Sequence, residues 1–218
     1  MIRVDSRPAD LGASGWAEIL PPRVPRAALQ QDIACDYLVV GAGFAGLAAA
    51  RRFRQLDPDA KVVLLEARRV ADGPAGRNSG FMIDLPHALA SGSYGGNSEQ
   101  DSRNIRMNRA AIEFAADAVR EYGLDAEAFT RRGKINAAAG RQGSEHNRAY
   151  ARHLETLGEP CRLLDSRQMK DVCGSDYYLG GLETPGTAII QPALYVRSFA
   201  DALAAGPHCL LYENTAVE

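Results

Sequence analysis

The first 31 residues follow neither the two-residue period of a strand nor the 3.6-residue period of a helix, and Pro21, Pro22 and Pro25 crowd into five positions. Such a stretch predicts an extended arm. It is either a free tail or, with Trp16 as the sole tryptophan to anchor it, an arm docked on a larger body. Regular patterning begins at Asp36. Tyr37-Leu38-Val39-Val40 is an apolar run of strand length, of the kind buried on both faces of a parallel sheet. A glycine turn follows, and residues 45 to about 56 take helical spacing, with Leu47, Ala50, Phe53 and Leu56 on one face and Arg51, Arg52 and Arg54 outside or on the flanks. Pro58 stops this helix. Residues 61–66 form a second apolar strand, so 36–66 read as a βαβ unit with a right-handed crossover.

From Arg69 to Gln100, glycine, serine and proline break every period, which predicts a loop-rich and functional stretch. Helical spacing returns over 101–122 through Ile105, Ile112, Ala115, Val119 and Tyr122, and Gly123 is a natural stop. Beyond it the pattern predicts a strand around Gly133-Lys134-Ile135, a helix over 144–157 and a short helix capped by Asp165 or Ser166. Two strands follow, over 177–183 and 187–190, the first weakened by Gly180 and Gly181. Pro192 suits the first turn of a helix running to Ala205, and 208–212 form a last strand. The sequence stops at Glu218 soon after that strand with no closing helix, so a fragment of a longer protein is expected.

A chain of 218 residues is long enough for one sizeable domain or two small ones without staples. With 46% hydrophobic residues and a net charge of −2, it suits a soluble α/β protein and not a broad nucleic-acid binder. Cys35, Cys161, Cys173 and Cys209 form no C-x-x-C pair, which argues against zinc and against a redox dithiol and points to a reducing, cytoplasmic location. No apolar stretch near the start has the length of a signal core or a membrane span, so no membrane association is expected.

The chemistry concentrates at Gly41-Ala42-Gly43-Phe44-Ala45-Gly46, a G-x-G-x-x-G sequence that follows a strand and opens a helix, with Glu66 at the end of the next strand. Gly41 permits the tight turn, Gly43 lets a diphosphate approach the backbone, and Gly46 lets the helix pack close to the sheet. The N–H groups and partial positive charge of the helix start receive the diphosphate. Glu66 can accept the hydroxyls of an adenosine ribose, which disfavours a 2′-phosphate and hence NADP but leaves NAD and FAD both open. Gly76-Arg77-Asn78-Ser79-Gly80-Phe81 can supply a second approach of backbone donors and a cation, as a flavin requires, or can be an ordinary surface loop.

Other residues carry less. His87, His146, His153 and His208 share no metal spacing, and no metal is expected. Tyr177 and Tyr178 suit packing better than a substrate face, and Arg131 and Arg132 suit a solvated pair better than a substrate carboxylate clamp. Ser79 lacks the setting of a nucleophile elbow, and no catalytic acid or base is assigned.

The segments Val39 through Leu47, Leu64-Leu65-Glu66-Ala67 and Gly76-Arg77-Asn78-Ser79-Gly80 together resemble the D-amino-acid oxidase (DAO) superfamily of flavoproteins. The R-N-x-G form and the Trp-bearing arm are similar to its branch of gamma-glutamylputrescine oxidase-like amine oxidoreductases. The likeness extends more loosely through Gly180-Gly181-Leu182 and Gln191-Pro192 to Glu213-Asn214-Thr215-Ala216-Val217. The resemblance implies an α/β fold: a Rossmann-like FAD-binding domain with a parallel sheet, plus part of a second α+β substrate domain, truncated. It implies an arm over 1–31, a discontinuous FAD-binding domain over 32–125 and 190–218, and a partial substrate domain over 126–189. By the same resemblance Gly41, Ala42, Gly43, Phe44, Ala45 and Gly46 surround the FAD diphosphate, Glu66 and Ala67 the adenosine, and Arg77, Asn78, Ser79 and Gly80 the diphosphate or flavin, while the Val217 backbone meets the adenine. The histidine that anchors flavin covalently in some relatives has no match in 73–81, so FAD is expected to bind non-covalently. The implied reaction is oxidation of the C–N bond of a small amine or amino acid by hydride transfer to flavin N5. Two rivals stand beside it, a cofactor-binding module without turnover and an NAD-dependent dehydrogenase.

Overall fold

The computed structural model describes residues 12–86 and 98–218. His87 lies outside the described residues. In chain order the elements are α1 (Gly15–Glu18), β1 (Tyr37–Val40), α2 (Phe44–Leu56), β2 (Val62–Leu65), β3 (Phe81–Met82), α3 (Ser98–Tyr122), β4 (Phe129–Arg131), β5 (Lys134–Ala138) and α4 (Arg141–Thr156). There follow β6 (Arg162–Asp165), α5 (Ser166–Cys173), β7 (Gly180–Thr184), β8 (Ala188–Ile190), α6 (Pro192–Ala205) and β9 (Cys209–Tyr212). This mixed α/β chain divides into two compact units. One comprises the described residues up to Gly80 with Ala116–Phe129 and Ile190–Glu218; the other comprises Phe81–Ala115 and Thr130–Ile189.

The first unit is built on a parallel sheet of order β1-β2-β9. Val39 pairs with Leu64, and Leu64 with Leu211, so one aliphatic row crosses all three strands. All three are buried, as are Leu47 and Ala50 of α2 and Val196, Phe199 and Ala200 of α6, the helices that pack on the sheet. Removing each of these Val, Leu and Phe side chains from water contributes about 1.5–3 kcal/mol. β2 is buried along its whole length, as an apolar run of four predicts. β1 is not: Leu38 is 53% exposed and Val40 62%. It is one of the sheet's two edge strands, and α2 packs on the face that carries Val39, whose Cγ1 would lie 3.3 Å from a Cβ on Gly46. Arg51 departs from the helical-wheel expectation too. It is buried, because its guanidinium donates to Glu121 Oε2 from Nε at 2.9 Å and from Nη2 at 2.6 Å.

β9 places Cys209 in the sheet interior at 1% exposure, and burial pushes its thiol up to about 11. A thiol reacts as its thiolate. Treating the folded protein with iodoacetamide at pH 8 is therefore expected to label exposed Cys173 and to spare Cys209, with Cys209 modified only after unfolding. Peptide mass spectrometry with and without urea checks this.

The second unit holds an antiparallel sheet of order β5-β7-β6 and the short-stranded sheet β3-β8-β4. Gly133, at φ +67°, divides what the sequence suggested as one strand into β4 and β5. Gly180 and Gly181 weaken strand propensity, but here close packing calls for them: a Cβ on Gly181 would lie 2.5 Å from Met169 Sδ and 2.9 Å from Ile135 Cγ2. Met169 belongs to α5, which starts with a full capping box in which Asp165 accepts from the Gln168 N–H and the Gln168 side chain accepts from the Asp165 N–H. Leu85, Ile105, Tyr150, Leu154 and Leu182 form this unit's core. Asp84, fully buried, is held there by Arg109 at 3.1 Å.

Candidate cofactor site

Three segments of the first unit converge on the start of α2. Gly41 receives its turn from β1 at φ +94°, a conformation glycine adopts without strain, and its N–H donates to the Leu65 carbonyl at 2.7 Å. The chain then doubles back so tightly that a Cβ on Gly46 would lie 1.8 Å from the Gly41 carbonyl oxygen and 3.3 Å from Val39 Cγ1. Gly43 is the N-cap of α2 and offers no side chain to the first-turn N–H groups. These groups and the positive end of the helix dipole are thus available to an anion. Ala42 is buried beneath the turn, and Phe44 is 38% exposed with its ring 6.2 Å from that of Tyr195. Ala45 occupies the first turn of α2.

Glu66 follows β2 and reaches back to the turn: its Oε2 accepts from the Ala42 N–H at 2.8 Å, and its Oε1 accepts from the Arg68 N–H at 3.1 Å. Each oxygen keeps a lone pair for a hydroxyl donor. Ala67 lies between these anchors and is partly buried. The chain after β9 runs alongside this segment, with the Asn214 N–H on the Arg68 carbonyl and the Thr215 N–H on the Glu66 carbonyl, both at 2.9 Å. Asn214 takes φ +51°, a region asparagine tolerates better than most residues. Val217, three residues farther on, is 52% exposed.

The segment 74–80 is the third. Its Ala75 abuts the glycine turn, since a Cβ on Gly43 would meet Ala75 Cβ at 3.4 Å. Side chains of this segment bond inward. Asn78 donates to the carbonyls of Ala75 at 2.9 Å and Pro74 at 3.3 Å and accepts from the Gly80 N–H at 2.9 Å. Arg77 donates to the Asp72 carbonyl at 2.6 Å and to the Gly12 carbonyl. The polar surface this segment presents is therefore backbone, together with exposed Ser79. Gly80, at φ +80°, has no room for a Cβ, which would lie 2.3 Å from the Ile190 carbonyl oxygen.

The described part of the N-terminal arm, residues 12–31, is docked. Ser14 Oγ donates to the Gly76 carbonyl at 2.9 Å, Trp16 Nε1 to the Asn78 carbonyl at 2.8 Å, and Gln191 Nε2 to the Trp16 carbonyl at 2.9 Å. Farther along, Arg23 donates from Nη1 to both carboxylate oxygens of Glu213, at 2.9 and 2.8 Å, and from Nη2 to Asp201 at 2.7 Å. Glu213 is fully buried and also accepts from the N–H groups of Val70 at 2.7 Å and Arg26 at 2.6 Å. Burial alone would lower the Arg23 pKa, but the hydrogen bond to Asp201 and the charge of Glu213 outweigh it and raise the guanidinium above its ordinary value. Sequence reasoning attached no role to Arg23, Glu213 or Gln191. A carboxylate in a strand-end segment was a visible signal; its partner, 190 residues away, was not.

Among the groups outside this unit, Arg131 pairs with Glu113 at 2.7 Å, and Tyr177 stacks edge-on with Tyr178 while remaining 67% exposed.

Comparison with known proteins agrees with this geometry. Residues 36–218 match the family described as FAD dependent oxidoreductase (DAO). Gamma-glutamylputrescine oxidoreductase of Escherichia coli is 26% identical over 189 residues, which cover 82% of this chain and 42% of that protein. A probable oxidoreductase, OrdL, of Rhizobium meliloti is 26% identical over 222 residues, covering 95% of this chain and 48% of its own length. The chain thus spans about half the length of the curated relatives it matches. Glycine oxidase of Geobacillus kaustophilus shares the fold at a TM-score of 0.64 and 18% identity, over 83% of this chain and 46% of that one. With its family match extending from just before β1 to the last residue, this chain belongs to the DAO family of FAD dependent oxidoreductases.

Proposed function

We propose that the chain supplies the ADP-binding part of a flavoenzyme that oxidises the C–N bond of a small amine or amino acid, with FAD held non-covalently. The observation that carries this reading is the uncapped start of α2 behind a turn in which a side chain at Gly46 would strike the Gly41 carbonyl at 1.8 Å, with Glu66 folded against it. These residues fit the diphosphate and ribose of FAD: the first-turn N–H groups of α2 meet the diphosphate, and the Glu66 carboxylate accepts ribose hydroxyls. Ala67 and Val217 flank the adenosine, and the backbone at Arg77, Asn78, Ser79 and Gly80 faces the cofactor beyond the first phosphate.

FAD held there would supply, at flavin N5, the acceptor for the hydride lost from the carbon that bears the substrate nitrogen. The chain's own residues bind and orient the cofactor for this step. The reading of the substrate as an amine or amino acid leans on the names of relatives that act on such compounds, gamma-glutamylputrescine oxidoreductase and glycine oxidase. A cofactor-binding module without turnover is the second reading, since the residues that carry the proposal bind a cofactor and none of them is assigned as a catalytic acid or base.

The test is direct. Purified protein is expected to carry a yellow chromophore released by heat as FAD, without covalent attachment to any peptide. Release of NAD instead, or failure to bind added FAD, overturns the proposal. Anaerobic bleaching by a panel of amines and amino acids then separates enzyme from module, since bound flavin that no member of the panel bleaches supports the module.

A further inference from the structure

The described part of the N-terminal arm donates to two carbonyls of the segment 74–80. Trp16 holds the carbonyl of Asn78 and Ser14 that of Gly76, while Gln191 ties the Trp16 carbonyl to the start of α6, where its Oε1 also accepts from the Leu194 N–H at 2.7 Å. The described peptide bonds include no cis bond. In a trans peptide the C=O and N–H lie in one plane and point to opposite sides. An indole N–H fixed on the Asn78 carbonyl at 2.8 Å therefore turns the Ser79 N–H away from the arm. That N–H has no partner among the described residues, and Ser79 itself is exposed. The Asn78 side chain completes the arrangement, because its clamp on Ala75 and Gly80 leaves the Asn78–Ser79 peptide as the part of the turn oriented from outside.

We infer that Trp16 is a positioning residue of the cofactor site: by gripping the Asn78 carbonyl it orients the Ser79 N–H as a hydrogen-bond donor to bound FAD. The inference rests on the proposed FAD reading. Trp16 acts through the peptide plane, so its indole N–H matters more than its ring. Gln191 keeps the tryptophan in place from the far side.

The experiment compares the full chain with its Trp16→Phe and Ser14→Ala variants. Wild-type FAD binding, by flavin fluorescence quenching, is measured first; if it is absent, the FAD reading fails and the variants are not at issue. With wild-type binding in hand, Trp16→Phe keeps an aromatic ring and loses the N–H donor with the pyrrole part of the indole. FAD affinity is expected to fall roughly threefold to tenfold, the equivalent of one hydrogen bond. The visible circular dichroism of bound flavin should change as well. Affinities are measured well below the thermal midpoints of both apoproteins, so that loss of folded protein cannot imitate the effect. An affinity and flavin spectrum equal to wild type overturn the inference, whether or not the apoprotein midpoint drops, because a merely structural tryptophan would move the midpoint alone. Ser14→Ala, which frees the Gly76 carbonyl and uncaps the Ala17 N–H but leaves the Trp16 indole on the Asn78 carbonyl, is expected to change the flavin spectrum less than Trp16→Phe does; an equal change would also overturn the inference.

Discussion

Replacing Arg23 by alanine is expected to lower the unfolding free energy by about 3 kcal/mol, at the low end of the cost of breaking a buried ion pair. The Glu213 carboxylate is fully buried, whereas the Arg23 side chain is 13% exposed. Removing the guanidinium leaves a carboxylate in the interior with, among the described residues, the Val70 and Arg26 N–H groups as donors. Those two bonds keep the loss from reaching the upper end of the range. Asp201 is a contrast on the same arginine: at 41% exposure it is well solvated, and Asp201→Ala is expected to cost less than about 1 kcal/mol. Arg23→Lys should fall between the two, since an ammonium cannot reproduce the fork that reaches Glu213 from one nitrogen and Asp201 from the others. Urea unfolding of the three variants measures the order. Equal midpoints for Arg23→Ala and wild type would mean that the arm does not pin the end of β9. Because Glu213 also anchors Val70, shortly after Glu66, loss of Arg23 should loosen the candidate adenosine segment as well as the arm.

The contrast between these residues and the glycine turn shows what a sequence reveals of such a site. The βαβ unit was legible because its information is local. Four apolar residues, three glycines at set spacing, a helical stripe and a carboxylate after the next strand all fall within 31 positions, 36–66. The helix begun by Pro192 was legible for the same reason: proline at the first turn and glycine after the last act through their own backbone. Contacts set by tertiary structure were hidden. Arg51 looked like a flanking surface charge because Glu121, which buries it, lies 70 residues away. The side chains of Arg77 and Asn78 suggested a cation and amides for a ligand, yet they bond to nearby carbonyls and to the arm, so the donors left over are backbone groups with no signature in a sequence. Trp16 was visible as an anchor, but its grip on Asn78, 62 residues on, was not. β6 escaped notice since Leu163 and Leu164 are flanked by Arg162 and Asp165, which are exposed or cap the next helix. The exposure of Leu38 and Val40 likewise depends on which strand is outermost, a fact of topology and not of the four residues in β1.

Replacing Gly46 by alanine is expected to weaken FAD binding by at least about a hundredfold and to destabilise the apoprotein by about 1–3 kcal/mol, the usual cost of forcing a methyl into a filled space. The atom in the way is the Gly41 carbonyl oxygen, 1.8 Å from the new Cβ. Backbone cannot rotate aside as a side-chain tip can, so the start of α2 must move away from the turn. That movement misaligns the first-turn N–H groups, and a hydrogen bond to a charged group contributes about 1.5–3 kcal/mol, so losing two costs about 3 kcal/mol or more. At about 1.4 kcal/mol per factor of ten, this is the hundredfold loss. Gly43→Ala separates binding from folding. Its Cβ would meet Ala75 at 3.4 Å, an ordinary contact, and φ is −86°, so the apoprotein should unfold within about 0.5 kcal/mol of wild type. The added methyl nonetheless stands where a diphosphate must approach the backbone, and FAD affinity is expected to fall at least tenfold. Gly140→Ala is the control: its Cβ meets nothing within 4 Å, and both stability and FAD affinity should match wild type within a few tenths of a kcal/mol, about the difference between glycine and alanine at an N-cap at its mildest. Isothermal titration of FAD with the three variants, alongside their urea midpoints, decides the matter. If Gly43→Ala binds FAD as tightly as wild type while Gly46→Ala merely unfolds more easily, the diphosphate does not lie against this turn, and the role of the start of α2 as the phosphate cradle is lost.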